Sequence, residues 1–256
     1  SSRREQIREL LCNRPFISFD ELHEMFPGVS NMTLRRDIEY FEEQSEAIKV
    51  RGGARSMKFI TTCMEGKFSL RMNENTPAKQ KIASVALSLI ETERSVFLDS
   101  GTTIFQLAAI MPDERLVVTT TGPNIALELI KKKLPIVNLV GGMLNRDSIS
   151  VSGNNATKFL ADINIDVAFI VPSGASAETG FTCGNYAECE FKRQVIEKAR
   201  RTVILADHSK FGRTLPYTFA DFGMVDTIIT DRAVSGDIAD AAKRAGAQII
   251  AADIGE

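Results

Sequence analysis

Apolar residues follow two different periods along this chain, and the change of period divides it into two parts. Near the N-terminus they recur every three or four residues, as at Leu34, Ile38 and Phe41, which is the spacing of one buried helix face. Further along, short apolar runs alternate with stretches of helical spacing. The pattern predicts a small domain over residues 1–56, a connection over 57–76 and a larger domain over 77–256.

The larger part is predicted to contain strands and helices in alternation. Predicted strands cover residues 95–99, 116–119, 136–140, 166–171, 202–206, 227–230 and 248–251, and predicted helices begin at Pro77 or cover 102–111, 123–131, 186–200 and 236–245. Such alternation is typical of an α/β fold with a mostly parallel, Rossmann-like sheet covered by helices. In sheets of this kind, ligands bind beyond the carboxyl ends of the strands.

Start and stop signals in the smaller part predict two short helices joined by a tight turn. Ser18 and Glu21 have the spacing of a capping box, which opens the first helix. Pro27 and Gly28 end that helix, since proline cannot continue it and glycine permits the turn. Ser30 is a suitable N-cap for the second helix. This order of signals is typical of a helix-turn-helix.

The second helix carries polar and basic side chains off its buried stripe, where a recognition helix contacts DNA. The residues placed there are Ser30, Asn31, Met32, Thr33, Arg35 and Arg36. Arginine can pair with guanine or phosphate, and threonine and asparagine can contact base edges or backbone. Alternating apolar and basic residues over 48–55 predict a short β-ribbon, a wing, from which Arg51 and Arg55 can reach phosphate. The alternative is an ordinary small helical subdomain.

Composition narrows these possibilities. The chain has 31 Lys and Arg against 33 Asp and Glu, a net charge of −2, and residues 1–56 hold nine basic and ten acidic side chains. DNA affinity therefore has to come from a few arginines, with steep salt dependence. No long apolar run and no secretory-signal pattern is present, which predicts a cytoplasmic protein without a membrane partner. Four cysteines without CxxC spacing and two histidines predict no metal site and no cofactor.

Polar, glycine-bearing segments follow three consecutive predicted strands. They are Asp99, Ser100, Gly101, Thr102 and Thr103 after the first strand, Thr119 and Thr120 after the second, and Gly141 and Gly142 after the third. Glycine lets a ligand approach the backbone, while hydroxyls and helix N-terminal amides suit a phosphate group. We therefore predict one ligand pocket at these strand ends, although each segment by itself is also typical of an ordinary connector.

Two pairs of charged residues later in the chain extend this predicted pocket. Glu188 and Lys192 are four residues apart on one predicted helix, so they share a face, either in the pocket or as an ordinary surface ion pair. Asp207 and Lys210 follow a predicted strand, where the carboxylate suits sugar hydroxyls and the ammonium suits a phosphate. His208 between them is interpreted as structural or exposed, because no Ser-His-Asp spacing supports a catalytic role.

Both parts of the chain resemble the DeoR family of bacterial transcriptional regulators. The matching residues are 29–30, 33, 35–37, 50 and 52–54 in the smaller part, and 99–103 (DSGTT), 141–146 (GGMLNR), 166–169, 180–182, 188, 192 and 207–212 (DHSKFG) in the larger part. The resemblance implies a winged helix-turn-helix followed by a sugar-phosphate sensor domain. The fold of that domain is related to those of ribose-phosphate isomerases and glucosamine-phosphate deaminases.

For function, the resemblance implies a non-enzymatic regulator, usually the repressor of a sugar catabolic operon. Its expected partners are double-stranded operator DNA, a phosphorylated sugar or polyol effector, and further copies of the chain in a homodimer or homotetramer. One departure from the family is visible. The family often has Thr-Asn after the second strand, whereas Thr119 is followed here by Thr120, which changes the side chains offered to ligand hydroxyls.

Two other classes of function remain open at this point. One is a sugar-phosphate isomerase or deaminase with an N-terminal appendage, which would need a general base and acid near the substrate carbons. Its candidate residues are Asp99, Asp166, Glu188 and Asp207. The other is a metabolite-binding module that only oligomerises. The helix-turn-helix favours the regulator, because an enzyme has no use for it.

Overall fold

The computed structural model describes residues 2–44, 46–57, 67–234 and 236–252. The chain divides into two compact units, Ser1–Thr62 and Cys63–Glu256. Residues 58–66 of the predicted connection lie outside the described residues, whereas Phe68–Asn73 forms a helix of the second unit. Each unit is therefore described by itself.

The first unit is a winged helix-turn-helix, as the sequence predicts. Its elements are α1 (Arg3–Asn13), β1 (Phe16–Ser18), α2 (Phe19–Met25), α3 (Asn31–Glu43), β2 (Ala47–Val50) and β3 (Gly53–Ser56). The strands form an antiparallel sheet in the order β1-β3-β2, in which β2 and β3 are the wing. The patterns in the sequence do not predict α1 or β1, because α1 buries only Ile7 and Leu11 and β1 has three residues.

The helices of this unit begin where their caps predict. The Ser18 hydroxyl accepts from the Glu21 amide at 3.1 Å and the Ser30 hydroxyl accepts from the Thr33 amide at 3.2 Å. The predicted stripe of Leu34, Ile38 and Phe41 is fully buried and packs against α1 and the sheet. Capping and burial together fix the start and the rotation of α3, so the same residues face outward in every molecule.

The second unit is an α/β fold with a parallel sheet. Its elements are α4 (Phe68–Asn73), α5 (Thr76–Leu87), β4 (Ser95–Leu98), α6 (Thr102–Ile110), β5 (Val117–Thr120), α7 (Pro123–Leu129), β6 (Ile136–Leu139), β7 (Met143–Asn145), β8 (Ser150–Ser152), α8 (Asn154–Leu160), β9 (Ile165–Ile170), β10 (Gly174–Ser176), β11 (Gly180–Cys183), α9 (Tyr186–Lys198), β12 (Ala199–Leu205), β13 (Tyr217–Ala220), β14 (Thr227–Thr230), α10 (Asp237–Ala245) and β15 (Gln248–Ala251). The seven-stranded sheet has the order β15-β14-β12-β9-β4-β5-β6, with every pair parallel.

Helices cover both faces of this sheet. Along β4, Val96 and Leu98 pack into the apolar layer beneath α5, α6 and α7, while Phe97 packs into the opposite layer beneath α8, α9 and α10. Successive side chains of a strand point to opposite faces, so a strand covered on both sides is apolar throughout. The predicted Rossmann-like class is confirmed. Among the described residues, no helix is both long and apolar enough to span a membrane.

Five described strands of the second unit lie outside its parallel sheet, and the sequence does not predict them. Strands β7 and β8 pair with each other, while β10, β11 and β13 form an antiparallel sheet. They are three or four residues long, too short to show a period. Strand β12 also begins at Ala199 rather than at 202, so the long helix before it ends at Lys198.

Candidate functional site

The outer face of α3 presents the residues predicted to contact DNA. Asn31, Met32, Arg35 and Arg36 are exposed there, and Arg51 is exposed at the turn of the wing. The guanidinium of Arg35 lies over the ring of Phe19, 5.5 Å from its centroid, a contact that restrains the side chain.

Ser30 and Thr33 are occupied in forming the start of α3. Besides the capping bond, their hydroxyls are 3.0 Å apart, which is hydrogen-bonding distance. Ser30 is exposed and Thr33 is half-buried. These two side chains therefore hold the first turn of the helix in place, and a further contact to DNA would have to share their hydroxyls.

Several other basic residues of this unit are used inside it, whereas Arg55 of the wing is exposed, as its predicted role requires. Arg8 makes two bonds to Glu46, at 2.7 and 2.9 Å, and Arg4 lies over the ring of Tyr40 at 4.1 Å from its centroid. Lys49 pairs with Glu39 at 2.5 Å. The unit thus separates its cations into those that hold the fold and those that α3 and the wing expose.

Asp37 is a structural residue that sequence reasoning missed. Its carboxylate is buried and accepts from Arg3 Nε at 2.6 Å and from Arg4 Nε at 2.9 Å, so it fastens α1 to α3. Burial alone would raise the pKa of Asp37, but the hydrogen bonds and charges of the two arginines outweigh it and hold that pKa below its usual range. The signal in the sequence was an acid three residues after buried Leu34, on the apolar side of the helix.

The predicted ligand-binding segments all lie at the carboxyl edge of the parallel sheet, in two groups. Strands β4, β5 and β6 are neighbours, so the segments that follow them begin side by side. Asp207 and Lys210 follow β12, which β9 separates from β4. Two strand spacings amount to about 10 Å.

The first group contains a buried ion cluster of Asp99, Glu188 and Lys192. Lys192 Nζ lies 3.0 Å from Asp99 Oδ2 and 2.8 Å from Glu188 Oε1, and it donates to the Val171 carbonyl at 2.7 Å. Burial alone would lower the pKa of Lys192, but the charges of Asp99 and Glu188 outweigh it and raise that pKa above its usual value. The interpretation of Glu188 and Lys192 as a surface pair is wrong, because the Lys192 side chain is 2% exposed.

All three N–H groups of Lys192 have acceptors in this cluster. Asp99 is engaged as well, because its carboxylate accepts from the amides of Ser100 at 2.8 Å and Val171 at 3.0 Å. The cluster therefore ties the ends of β4 and β9 to α9. A ligand that used Lys192 directly would first have to displace one of these acceptors.

The segment after β4 brings a glycine with positive φ to the start of an uncapped helix. Gly101 has φ +130°, a conformation that L side chains rarely adopt, and a Cβ there would lie 2.9 Å from Val171 Cγ2. Thr102 and Thr103 open α6, a nine-residue helix whose first amides have no side-chain cap. Uncapped amides at the positive end of a helix favour a bound anion.

The second group centres on Asp207, which is buried. Its Oδ1 accepts from Asn75 Nδ2 at 3.2 Å and from the Ser209 hydroxyl at 2.5 Å. Burial alone would raise the pKa of Asp207, but nearby Lys210, Ser209 and Lys79 hold it below its usual value.

Lys79 and Asn75 are residues of this group that the sequence did not indicate. Lys79 Nζ is buried and donates to the carbonyls of Arg71 and Glu74. Burial lowers the pKa of Lys79 to about 8, with Asp207 opposing the shift and Lys210 adding to it. A lysine within an otherwise amphipathic helix has no local signature, so only its tertiary surroundings identify it.

Several buried polar atoms at this edge have no hydrogen-bond partner. Among the described residues they include Thr119 Oγ1, both amide atoms of Asn124 and Asp207 Oδ2. Buried polar groups are normally paired, so unpaired ones commonly mark a bound water or ligand. Asn124 was not predicted. Thr120, by contrast, already accepts from the Gly122 amide at 3.0 Å.

Gly141, Gly142 and Asp166 do not lie among the buried polar residues of the two groups. Gly141 and Gly142 are exposed, and Gly142 allows β8 to approach, since a Cβ there would lie 2.6 Å from the Ser152 carbonyl oxygen. Asp166 lies at the start of β9, the opposite edge from Asp99 and Asp207, where it accepts from the Ser95 amide. The acids considered as candidates for an enzyme therefore do not all lie at one edge of the sheet.

A cavity of about 450 Å³ adjoins the Asp207 group. It is lined by Asn75, Pro77, Ala78, Lys81, His208, Asp231 and Arg232. His208 is half-buried, and its Nδ1 lies 2.7 Å from Asp231 Oδ2. That pairing agrees with a structural interpretation of His208.

Family models match both units. One described as the DeoR-like helix-turn-helix domain covers residues 3–59, and one described as the DeoR C terminal sensor domain covers residues 74–232. The chain belongs to the DeoR family. Every DNA-binding and effector-binding residue predicted from the sequence lies within these two matches.

Proteins named as transcriptional regulators or repressors are similar to this chain over nearly their full length. The putative aga operon transcriptional repressor of Escherichia coli O157:H7 is 31% identical over 98% of this chain and 93% of its own. The glycerol-3-phosphate regulon repressor of E. coli K12 is 29% identical over 90% of both. Ribose 5-phosphate isomerase A from Methanocaldococcus jannaschii has a TM-score of 0.41 at 16% identity, covering 54% of this chain and 55% of that one.

Proposed function

We propose that this DeoR-family chain is a DNA-binding repressor of a carbohydrate catabolic operon, released by a phosphorylated sugar or polyol. The observation that carries the proposal is that one chain holds an exposed recognition helix and a sensor unit whose helix α6 begins, at the strand ends, with amides that no side chain caps. The names of the aga and glycerol-3-phosphate repressors support both the repression and the class of effector.

The DNA-contacting surface in this proposal is the first half of α3 together with the wing. Asn31, Met32, Arg35 and Arg36 meet the major groove, and Arg51 meets the backbone beside it. Ser30 and Thr33 fix the start of the helix, so they position these residues as well as lying close to DNA. Since few cations are available, each arginine carries a large share of the affinity.

Replacing Arg35 or Arg36 by alanine is expected to weaken operator binding by ~1–3 kcal/mol, if each makes a bidentate contact. Fluorescence anisotropy with operator DNA at fixed salt measures the loss. Arg14→Ala is the matched control, because Arg14 pairs with Glu21 away from α3. Equal affinity of the Arg35, Arg36 and control variants for the operator would contradict the assigned surface.

The effector in this proposal lies along the carboxyl edge of the second unit. The first turn of α6, with Gly101, Thr102 and Thr103, receives the phosphate, and Lys210 adds positive charge. Sugar hydroxyls pair with the unpartnered oxygens of Asp207 and Thr119. A phosphorylated sugar has polar groups at both ends, which suits two groups of side chains about 10 Å apart.

Asp99, Glu188 and Lys192 take a positioning role here. Because their charges satisfy one another, they hold Gly101 and the start of α6 in place from beneath. Thr120 likewise shapes the turn before α7 through its bond to the Gly122 amide. Gly141 and Gly142 contribute the shape of the loop before β7.

Lys210→Ala is expected to keep operator affinity and to lose release by the effector. A thermal-shift screen of sugar phosphates on the full chain identifies the ligand, since 100 times its Kd adds about 2.7 kcal/mol. Anisotropy then measures operator release by that ligand. Lys243→Ala, an exposed lysine of α10, is the control and should respond as the parent does. Release of the Lys210 variant at the same ligand concentration would refute the pocket.

A further inference from the structure

Met32 is a large apolar side chain that the first unit leaves in solvent. It is 64% exposed, the largest value for such a side chain among the described residues of this unit. It is absent from the hydrophobic cluster that buries Leu34, Ile38 and Phe41 of the same helix. Single exposed apolar residues are common on protein surfaces, so the position of Met32 decides whether it has a role.

Met32 lies on the side of α3 opposite to its buried stripe. At 3.6 residues per turn, its side chain is rotated by roughly 160° from that of Leu34 and by roughly 40° from that of Arg36, one turn on. The Thr33 amide donates to the Ser30 hydroxyl, which fixes where the helix starts. Met32 therefore projects from the centre of the outward face within the first turn, where a recognition helix contacts base edges.

The same face becomes acidic towards the C-terminal end of α3. Glu39 and Glu43 follow Arg36 on it, and both are exposed. Lys49 of the wing pairs with Glu39 at 2.5 Å, and its amide donates to Glu42 at 3.0 Å. Because exposed carboxylates repel the phosphate backbone, the first two turns of α3 are the part suited to a close approach to the duplex.

The major groove presents one kind of apolar group among its base edges, the C5-methyl of thymine. The other groups there are hydrogen-bond donors and acceptors, which a thioether pairs with only weakly and which lose water when a methionine covers them. Against a thymine methyl, both apolar groups leave water together. Burying one methyl-sized group is worth about fourfold in affinity.

We propose that Met32 is a specificity-determining residue that selects a T·A pair in the operator by contact with the C5-methyl of thymine. This inference rests on the DNA-binding role proposed above and adds the chemistry of one base pair to it. The contact is apolar and short-ranged. It therefore discriminates between bases without adding to the salt-dependent attraction that the arginines provide.

The first test removes the methyl group from the DNA. An operator is selected from random duplexes with the full chain, and each thymine in turn is replaced by uracil, which differs only in lacking that methyl. At least one replacement should weaken binding of the parent about fourfold in fluorescence anisotropy at fixed salt. Met32→Ala should bind the thymine and uracil duplexes equally. Met25→Ala, at an exposed methionine of α2, should keep the fourfold difference.

The remaining outcomes of this test separate the inference from the proposed function. Uracil replacements that never weaken the parent, or that weaken the parent and Met32→Ala alike, would overturn the role of Met32 and leave operator binding standing. Failure to select any operator would overturn both.

The second test restores the methyl group on another base. With the thymine at that position replaced by cytosine, 5-methylcytosine should bind the parent about fourfold more tightly than cytosine does, and Met32→Ala should not distinguish the two. The slope of log affinity against log salt concentration should be the same for both proteins, since no phosphate contact changes. Equal binding of both cytosine duplexes by the parent, or a shallower salt slope in Met32→Ala, would refute the methyl contact.

Discussion

Replacing Lys192 by methionine is expected to destabilise the second unit by about 3–5 kcal/mol, the cost of breaking a buried ion pair from one side. Lys192 is fully buried between Asp99 and Glu188. Methionine keeps the unbranched apolar stem of the side chain but leaves two carboxylates without the cation between them, and it removes the donor to the Val171 carbonyl. Urea denaturation followed by far-UV circular dichroism measures the loss.

An exposed Lys–Glu pair with i,i+3 spacing provides the control. Lys131 pairs with Glu128 on α7, and its side chain is 68% exposed. Lys131→Met should change the free energy of unfolding by less than about 1 kcal/mol, because exposed pairs contribute little. If Lys192→Met changed it as little as the control does, the cluster would not be the desolvated support proposed for the start of α6.

Replacing Asp37 by alanine is expected to destabilise the first unit by about 3 kcal/mol. This is the low end of the loss expected for a buried ion pair, because the two arginine partners are partly exposed to water. The substitution removes the acceptor that joins Arg3 and Arg4 of α1 to α3. Hydrogen exchange of the α3 amides in the full chain measures this local stability. Glu39→Ala, which breaks the exposed pair with Lys49, is the control and should leave exchange unchanged.

Acid should remove the stabilisation that Asp37 gives to the first unit. The pKa of Asp37 is lower in the folded chain than its ordinary value of 3.8. A carboxyl whose folded pKa is depressed stabilises the fold above the unfolded pKa and loses that effect as pH falls through the folded pKa. Protection of α3 in the parent should therefore fall below about pH 4, and Asp37→Ala should flatten that fall. An unchanged acid profile in the variant would show that Asp37 is not the responsible group.

Local features of the fold could be predicted because short stretches of chain specify them. The Ser18 and Ser30 caps, the stripe containing Leu34 and the alternation of strands with helices act within a few residues. Strands β10, β11 and β13 could not be predicted, because their pairing joins residues such as Cys183 and Tyr217 that are distant in sequence. The candidate site shows the same division, because its polar strand ends could be predicted locally whereas the partners of its charged side chains could not.

The sequence by itself determined the winged helix-turn-helix, the parallel sheet and the strand ends that carry polar residues. Tertiary structure decided which charged side chains are engaged in internal ion pairs and hydrogen bonds. It buried Lys192 between Asp99 and Glu188, joined Asp37 to α1 and placed Asn75 on Asp207, 132 residues away. Periodicity reports the surroundings of a residue only along its own helix or strand. The partner of a charge, and hence its pKa and availability to a ligand, depends on which distant segments the fold brings beside it.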